Sequence, residues 1–193
     1  MKKITLSLLA IFAFSGVTFA QTPDIKLGAK AGLNISTVSD LDDSKSRTGF
    51  HVGALAEIFI NEKFSVQPEI LYSTQGAKSS NLGGLSYKLT LDYLNIPIMA
   101  KYYVMDGLSV QAGPQIGFNV KAEMERKLLG EKETKDIKDE INTVDFGLNF
   151  GAGYELPIGL FFDARYNLGF TKIHKEGDST KNRVFQLSVG YKF

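Results

Sequence analysis

Residues 144–155 read Val-Asp-Phe-Gly-Leu-Asn-Phe-Gly-Ala-Gly-Tyr-Glu, and every second side chain after Val144 is aliphatic or aromatic. In an extended chain Phe146 and Leu148 fall on one side, while Asp145 and Asn149 fall on the other, with glycines between them. A period of two predicts a β-strand, because an amphipathic helix would repeat its apolar residues every three or four positions. This stretch therefore predicts a strand with one apolar face and one small or polar face.

Seven other segments of the chain show the same alternation. In chain order the eight segments span residues 25–35, 48–60, 64–75, 87–103, 108–121, 144–155, 160–170 and 184–193. In the second segment, Leu55 and Phe59 are apolar residues at positions that belong to the polar face. Segments of roughly 11 residues suit a tilted crossing of a lipid bilayer by a β-strand.

The chemistry of the two faces and the lengths of the connections select a membrane barrel over a soluble one. The polar faces carry glycine, amides and charges of both signs, whereas a soluble barrel needs apolar side chains inside. Short connections follow the even segments, and long connections, at residues 36–47, 76–86, 122–143 and 171–183, follow the odd segments. The predicted fold is an all-β, eight-stranded, antiparallel up-and-down transmembrane β-barrel in the bacterial outer membrane. A soluble periplasmic barrel is the alternative.

The N-terminus has the layout of a secretory signal. Lys2 and Lys3 precede an apolar run, and small residues lead to Ala20. We predict a cleaved signal peptide over residues 1–20 and a barrel domain over residues 21–193, whose termini lie on the periplasmic side. Removal of the signal changes the formal net charge from +1 to −1, so charge does not favour nucleic acid as a partner. The absence of cysteine excludes disulfides and a lipid-modified cysteine.

Charged residues occur on the polar faces of the predicted strands. An eight-stranded barrel is just wide enough for side chains to fill it, and an unpaired buried charge is costly. We therefore predict a paired charge network in the lumen, with a proton or ion path as the alternative. The network comprises Lys26, Lys30, Glu57, Glu69, Lys101, Asp145, Glu155, Asp163 and Arg165.

Catalytic, metal and cofactor sites are weakly indicated. His51 could meet Asp92 and Ser86 at the outer rim as a hydrolytic site, but we do not favour this arrangement. Gly151-Ala152-Gly153 lacks the helix start that a phosphate-binding loop requires. An acidic cluster in the first long connection lacks the glycine and the final glutamate of a calcium-binding loop. The cluster comprises Asp40, Asp42 and Asp43. We predict no enzyme activity, no metal and no cofactor.

Several stretches resemble a known family. They include QPEILYS at residues 67–73, LNIPIMAKYY at 94–103, AGPQIG at 112–117, ARYNLG at 164–169 and FQLSVGYKF at 185–193. Together they resemble the small bacterial outer-membrane β-barrel proteins of the porin-family or PorT-like kind, over nearly all of the chain after the signal. This resemblance implies the barrel fold, an outer-membrane location, and a signal for the barrel-insertion machinery at Tyr191 and Phe193.

The functional prediction is a non-enzymatic outer-membrane barrel with a side-chain-filled lumen and a structural or external-loop recognition role. A narrow passive porin for small solutes and a component of an outer-membrane secretion or assembly system are the two alternatives. The predicted partners are outer-membrane lipid and, during biogenesis, the insertion machinery, and the barrel is predicted to be a monomer. The ligand of the long external loops is left open.

Overall fold

The computed structural model describes residues 24–39, 45–80, 85–128, 131–175 and 179–193, and every structural statement below concerns these residues. Two predictions lie outside them. One is the signal peptide over residues 1–20, and the other is the acidic cluster at Asp40, Asp42 and Asp43.

The chain forms antiparallel strands, eight of which close into a ring. The ring strands pair with their neighbours, and β1 pairs with β9 to complete the barrel. The short β6 lies outside the ring beside β5. The bounds are β1 (Ile25–Val38), β2 (Lys45–Asn61), β3 (Phe64–Ser80), β4 (Leu85–Met105), β5 (Leu108–Leu128), β6 (Glu131–Asp136), β7 (Val144–Glu155), β8 (Leu160–Gly169) and β9 (Asn182–Lys192). The predicted eight-stranded antiparallel barrel is confirmed.

The two faces of each ring strand have the predicted orientation. Along β9 burial alternates residue by residue, with Gln186 and Ser188 inside and Leu187 and Val189 outside. Outward side chains such as Leu27, which is 59% exposed, form a continuous apolar surface around the barrel. A surface of this kind is stable only in lipid. In the described ranges, no helix is long and apolar enough to cross a membrane.

Two predicted loops are wrong. The connection predicted at 76–86 is mostly strand, since β3 continues to Ser80 and β4 begins at Leu85. The connection predicted at 122–143 contains the end of β5, the whole of β6 and a 3₁₀ turn at Lys138–Glu140. Near the barrel mouth Ala77 and Ala122 are buried on the inner face of these extensions. Farther from the bilayer the strands form a water-exposed sheet, in which neither face needs to be apolar and the alternation of apolar and polar residues fades. A bulge opposite Asp92 and Tyr93 shifts the phase of β5.

Candidate functional site

A buried charge cluster in the middle of the lumen, hereafter the central cluster, joins opposite walls of the barrel. Arg165 on β8 donates to both carboxylate oxygens of Glu69 on β3, at 2.9 and 2.7 Å, and to Asp163 at 3.1 Å. The Nζ atom of Lys30 on β1 lies 2.8 Å from Glu69 and 3.7 Å from Asp163. The two cations balance the two carboxylates, and all four side chains are almost fully excluded from solvent.

A second buried cluster, hereafter the periplasmic cluster, lies nearer the short turns. Glu57 on β2 forms an ion pair with Lys101 at 3.1 Å and another with Lys192. Lys192 also pairs with Glu155, which lies 3.4 Å from Lys26. The Tyr103 hydroxyl donates to Glu57 at 2.8 Å. Five strands therefore contribute side chains to one network, and it faces an open cavity of about 680 Å³ at the periplasmic end.

An uncharged layer above the central cluster contains His51. Its Nδ1 and Nε2 atoms lie 2.8 Å from Asn34 Oδ1 and 2.8 Å from Ser188 Oγ. The Asn34 amide nitrogen already donates to Ser73 and to main-chain carbonyls, so Asn34 Oδ1 accepts from Nδ1, and Nε2 accepts from Ser188. His51 is 1% exposed and thus belongs to the packed interior.

The alternative arrangement of His51, Asp92 and Ser86 at the outer rim gains no support from their contacts. Asp92 accepts a hydrogen bond from the Tyr72 hydroxyl at 2.8 Å, whereas the ring of His51 is engaged by Asn34 and Ser188. The side chains that form hydrogen bonds with the His51 ring come from β1 and β9, and these two strands become neighbours only when the ring closes. Catalysis is not indicated by this arrangement.

An apolar layer, hereafter the outer cap, lies at the external end of the lumen. Its members are buried residues from the upper ends of the ring strands and from the external connections. They are Val38, Ala77, Leu89, Leu91, Tyr93, Ala122, Ile137, Ile141 and Ile173. Ile141 is 0% exposed and forms an isolated bridge with His174, so two external connections are tied together over the barrel mouth.

The sequence prediction misses two members of the periplasmic cluster and separates one predicted residue from both clusters. Lys192 and Tyr103 take part in the network, although neither is among the nine predicted charges. Alternation places Lys192 on the inward face of the last strand, and that signal was sufficient to find it. Asp145 lies near the outer cap instead, where it accepts from Asn182 at 3.0 Å.

The external sheet carries a third group of charges, all exposed or half-buried. On β4, β5 and β6, Glu125 lies 3.0 Å from Lys132 and 3.8 Å from Lys88. Lys135 donates to Glu140 at 2.8 Å, and this hydrogen bond lowers the pKa of the Glu140 carboxyl from its ordinary value. Exposed pairs of this kind contribute little to stability, so these side chains are free to change partners.

Gly151 on β7 provides the space for the Arg165 side chain. A Cβ atom at this position would lie 2.2 Å from the Ala164 carbonyl oxygen and 3.0 Å from Arg165 Cγ. We expect Gly151→Val to destabilise the barrel by about 1 to 3 kcal/mol, because β8 and Arg165 must both move. Urea unfolding of protein refolded into vesicles measures the change. Ala152→Val, which places the same valine side chain on the lipid-facing side of β7, is the control. Equal losses in the two variants would contradict the prediction.

Comparison with known proteins agrees with this architecture. Residues 19–175 match a family model described as the outer membrane protein beta-barrel domain, which is most of the chain. The chain belongs to this family. It is accordingly a bacterial outer-membrane β-barrel protein.

Solved structures show the same fold in proteins of low sequence identity. Neisserial surface protein A is 15% identical, with a TM-score of 0.55, and the alignment covers 90% of this chain and 100% of that one. Ail, the attachment invasion locus protein of Yersinia pestis, is 16% identical, with a TM-score of 0.51 and coverage of 87% and 98%. No curated protein matches the sequence. At these identities the two structures support the fold of this family member and nothing narrower.

Proposed function

We propose that this protein is a closed outer-membrane barrel that acts as a rigid platform for an external β-sheet, and that the sheet is its recognition surface. The observation that carries the proposal is the outer cap. Ile137, Ile141 and Ile173 come from the external connections and are packed with buried residues of β4 and β5, which places apolar side chains where a solute would enter.

The layers below the outer cap support the same function. The bidentate contact between Arg165 and Glu69 spans the lumen from β8 to β3. A water-filled pore would solvate these charges separately, whereas here buried cations and carboxylates form ion pairs with one another. Eight strands also leave an interior that side chains can fill completely. The paired charges are therefore best explained as packing, and a narrow passive porin is disfavoured.

The external sheet is the part of the molecule suited to recognition. Loops and strand ends on a rigid scaffold commonly carry binding residues. Two proteins of this fold have names that refer to the cell surface and to attachment, Neisserial surface protein A and the attachment invasion locus protein. We do not propose the secretion or assembly role that a PorT-like resemblance would imply, because no sequence motif and no contact among the described residues points to it.

Planar-bilayer recording tests the closed barrel. We expect no stable single-channel steps from folded protein, because the central cluster and the outer cap both obstruct the lumen. A shift in migration between unboiled and boiled gel samples establishes that the recorded sample is folded. A sixteen-stranded porin in the same bilayer is the positive control for insertion and sensitivity. Stable, well-resolved steps from the folded sample would reject the proposal and favour the porin.

A further inference from the structure

The outermost strand of the external sheet has an open edge. β6 ends the order of strands in the sheet, and within the described residues it pairs with β5 alone. All six of its residues, Glu131–Asp136, are exposed. An open edge presents unpaired N–H and C=O groups, which can accept another strand.

The hydrogen-bond phase of β6 determines which groups point outward. The Ile137 N–H donates to the Ala122 carbonyl on β5 at 3.1 Å. In an antiparallel pair, successive residues of a strand alternate between bonding the neighbour and facing away from it. Residues 131, 133 and 135 therefore bond β5, and the N–H and C=O groups of Lys132, Thr134 and Asp136 face the open edge.

The charges of β6 are complementary to a second copy of β6. In such a pair the outward N–H and C=O groups of one β6 must bond the outward groups of the other β6. A symmetric antiparallel pair that meets this condition has its two-fold axis at one residue, which then lies opposite the same residue of the other copy. Centred on Glu133 or Lys135, the pair sets like charges against each other. Centred on Thr134, Lys132 faces Asp136 of the other copy and Glu133 faces Lys135, which produces four opposite-charge pairs and no like-charge pair.

We propose that β6 pairs antiparallel with β6 of a second copy of this chain, with the two Thr134 residues opposite each other. The pairing joins the external sheets of the two copies into one continuous sheet. This inference rests on the proposed function, since it names the partner of the same external sheet.

The geometry of an antiparallel pair places the two copies in facing membranes. The two-fold axis of such a pair is perpendicular to the sheet, and the β5 and β6 ladder continues upward from the barrel wall. The axis thus lies nearly parallel to the membrane, so one copy is inverted relative to the other. The proposed contact links two membrane surfaces and adds no contact between copies in one membrane, so it is compatible with the predicted monomer.

Each contact in this pairing is weak, so strong adhesion between two membranes requires many copies of the pair. Cross-strand charge pairs are individually small contributions. Lys132 and Lys135 now pair with Glu125 and Glu140 in exposed contacts, which exchange at little cost. Two membranes that each carry many copies gain from multivalency, and the link is then much tighter than one pair.

Vesicle clustering with a charge swap tests the pairing. Full-length protein is reconstituted into phosphatidylcholine vesicles, and clustering is followed by turbidity and by co-sedimentation of two fluorescently labelled populations. We expect wild-type vesicles to cluster. We expect the clustering of Glu133→Lys vesicles alone, and of Lys135→Glu vesicles alone, to fall to the level of protein-free vesicles. In each case residue 133 of one copy and residue 135 of the other would carry the same charge. Mixing the two variant populations restores opposite charges and should restore co-sedimentation.

Two further variants separate pairing from general charge and from misfolding. Glu131→Lys makes the same charge change two residues away, where the proposed register supplies no opposing charge, and we expect it to cluster normally. Thr134→Pro removes an outward N–H that β5 does not use, and an edge strand tolerates proline at such a position, so folding should persist while clustering is lost. The gel shift verifies folding of every variant.

The outcomes distinguish this inference from the proposed function. Wild-type vesicles that fail to cluster, single variants that still cluster, or mixed variants that do not recover would each overturn the β6 pairing. None of these outcomes affects the closed barrel, which bilayer recording of the same preparations tests independently. Single-channel steps would reject the closed barrel whether or not vesicles cluster.

Discussion

Replacement of Glu69 by glutamine is expected to lower the free energy of unfolding by about 3 to 5 kcal/mol, which is the cost of leaving a buried charge without its partner. Glu69 accepts both donors of the Arg165 guanidinium and is also the nearer carboxylate to Lys30. Without it two buried cations share Asp163 alone, in a place that water does not reach. This effect is large because the pair lies in the interior and spans the lumen.

Urea unfolding of the variant in lipid vesicles measures the effect of Glu69→Gln. Glu125→Gln is the control, because Glu125 pairs with Lys132 at the water-exposed surface, and no measurable change is expected there. A loss for Glu69→Gln no greater than that of the control would show that the central cluster does not stabilise the barrel.

A double variant separates charge balance from simple loss of contacts. Lys30→Met combined with Glu69→Gln removes one charge of each sign and leaves the Arg165 and Asp163 pair, at 3.1 Å, balanced. We expect the double variant to be less destabilised than the sum of the two single variants, since each single change strands a charge and the double change does not. Strict additivity would contradict the description of the cluster as one network.

Replacement of Phe193 by alanine is expected to reduce the amount of protein in the outer membrane several-fold while leaving the stability of folded protein unchanged. The resemblance to outer-membrane barrels implies that Tyr191 and Phe193 form the signal read by the insertion machinery. The Phe193 ring is 81% exposed and lies 5.4 Å from the Tyr191 ring, so it contributes little packing to the barrel. A loss of assembly would then report recognition rather than folding.

The measurement for Phe193→Ala compares outer-membrane fractions with refolding of purified protein into vesicles. Phe162→Ala is the matched control, because Phe162 is also a lipid-facing phenylalanine, 49% exposed, but lies on β8 away from the terminus. We expect both variants to refold and only Phe193→Ala to be depleted from the membrane. Normal levels of Phe193→Ala in the outer membrane would contradict the prediction that Phe193 belongs to an insertion signal.

Sequence reasoning succeeded where one side of a strand faces lipid. The bounds of β7, Val144–Glu155, coincide with the predicted segment. Each outward polar side chain there would meet hydrocarbon, so the requirement for an apolar face is strict and the period of two is clear. Above the bilayer that requirement ends. Beyond Ala77 and Ala122, the extensions of β3 and β5 carry polar residues on both faces, as does the whole of β6, so alternation there does not indicate which side chains are buried.

The outer cap illustrates what alternation cannot find. Ile137, Ile141 and Ile173 lie in connections with no periodic pattern, and each looks like an isolated apolar residue in a polar loop. They become buried together because the β5 and β7 connection and the β8 and β9 connection meet over the barrel mouth. Their contact is therefore a property of the closed ring.

The sequence by itself determined the number of crossings, the inward or outward direction of each side chain, and the location in the membrane, because hydrocarbon enforces one apolar face on every crossing strand. It placed Glu69 and Arg165 inside without indicating that they meet. Only the tertiary structure decided that pairing, and also the union of Lys192 with Glu57 and the open edge of β6. Ring closure and the stagger of the strands determine which inward residues stand at the same height on opposite walls, and neither is encoded in the period of a single strand.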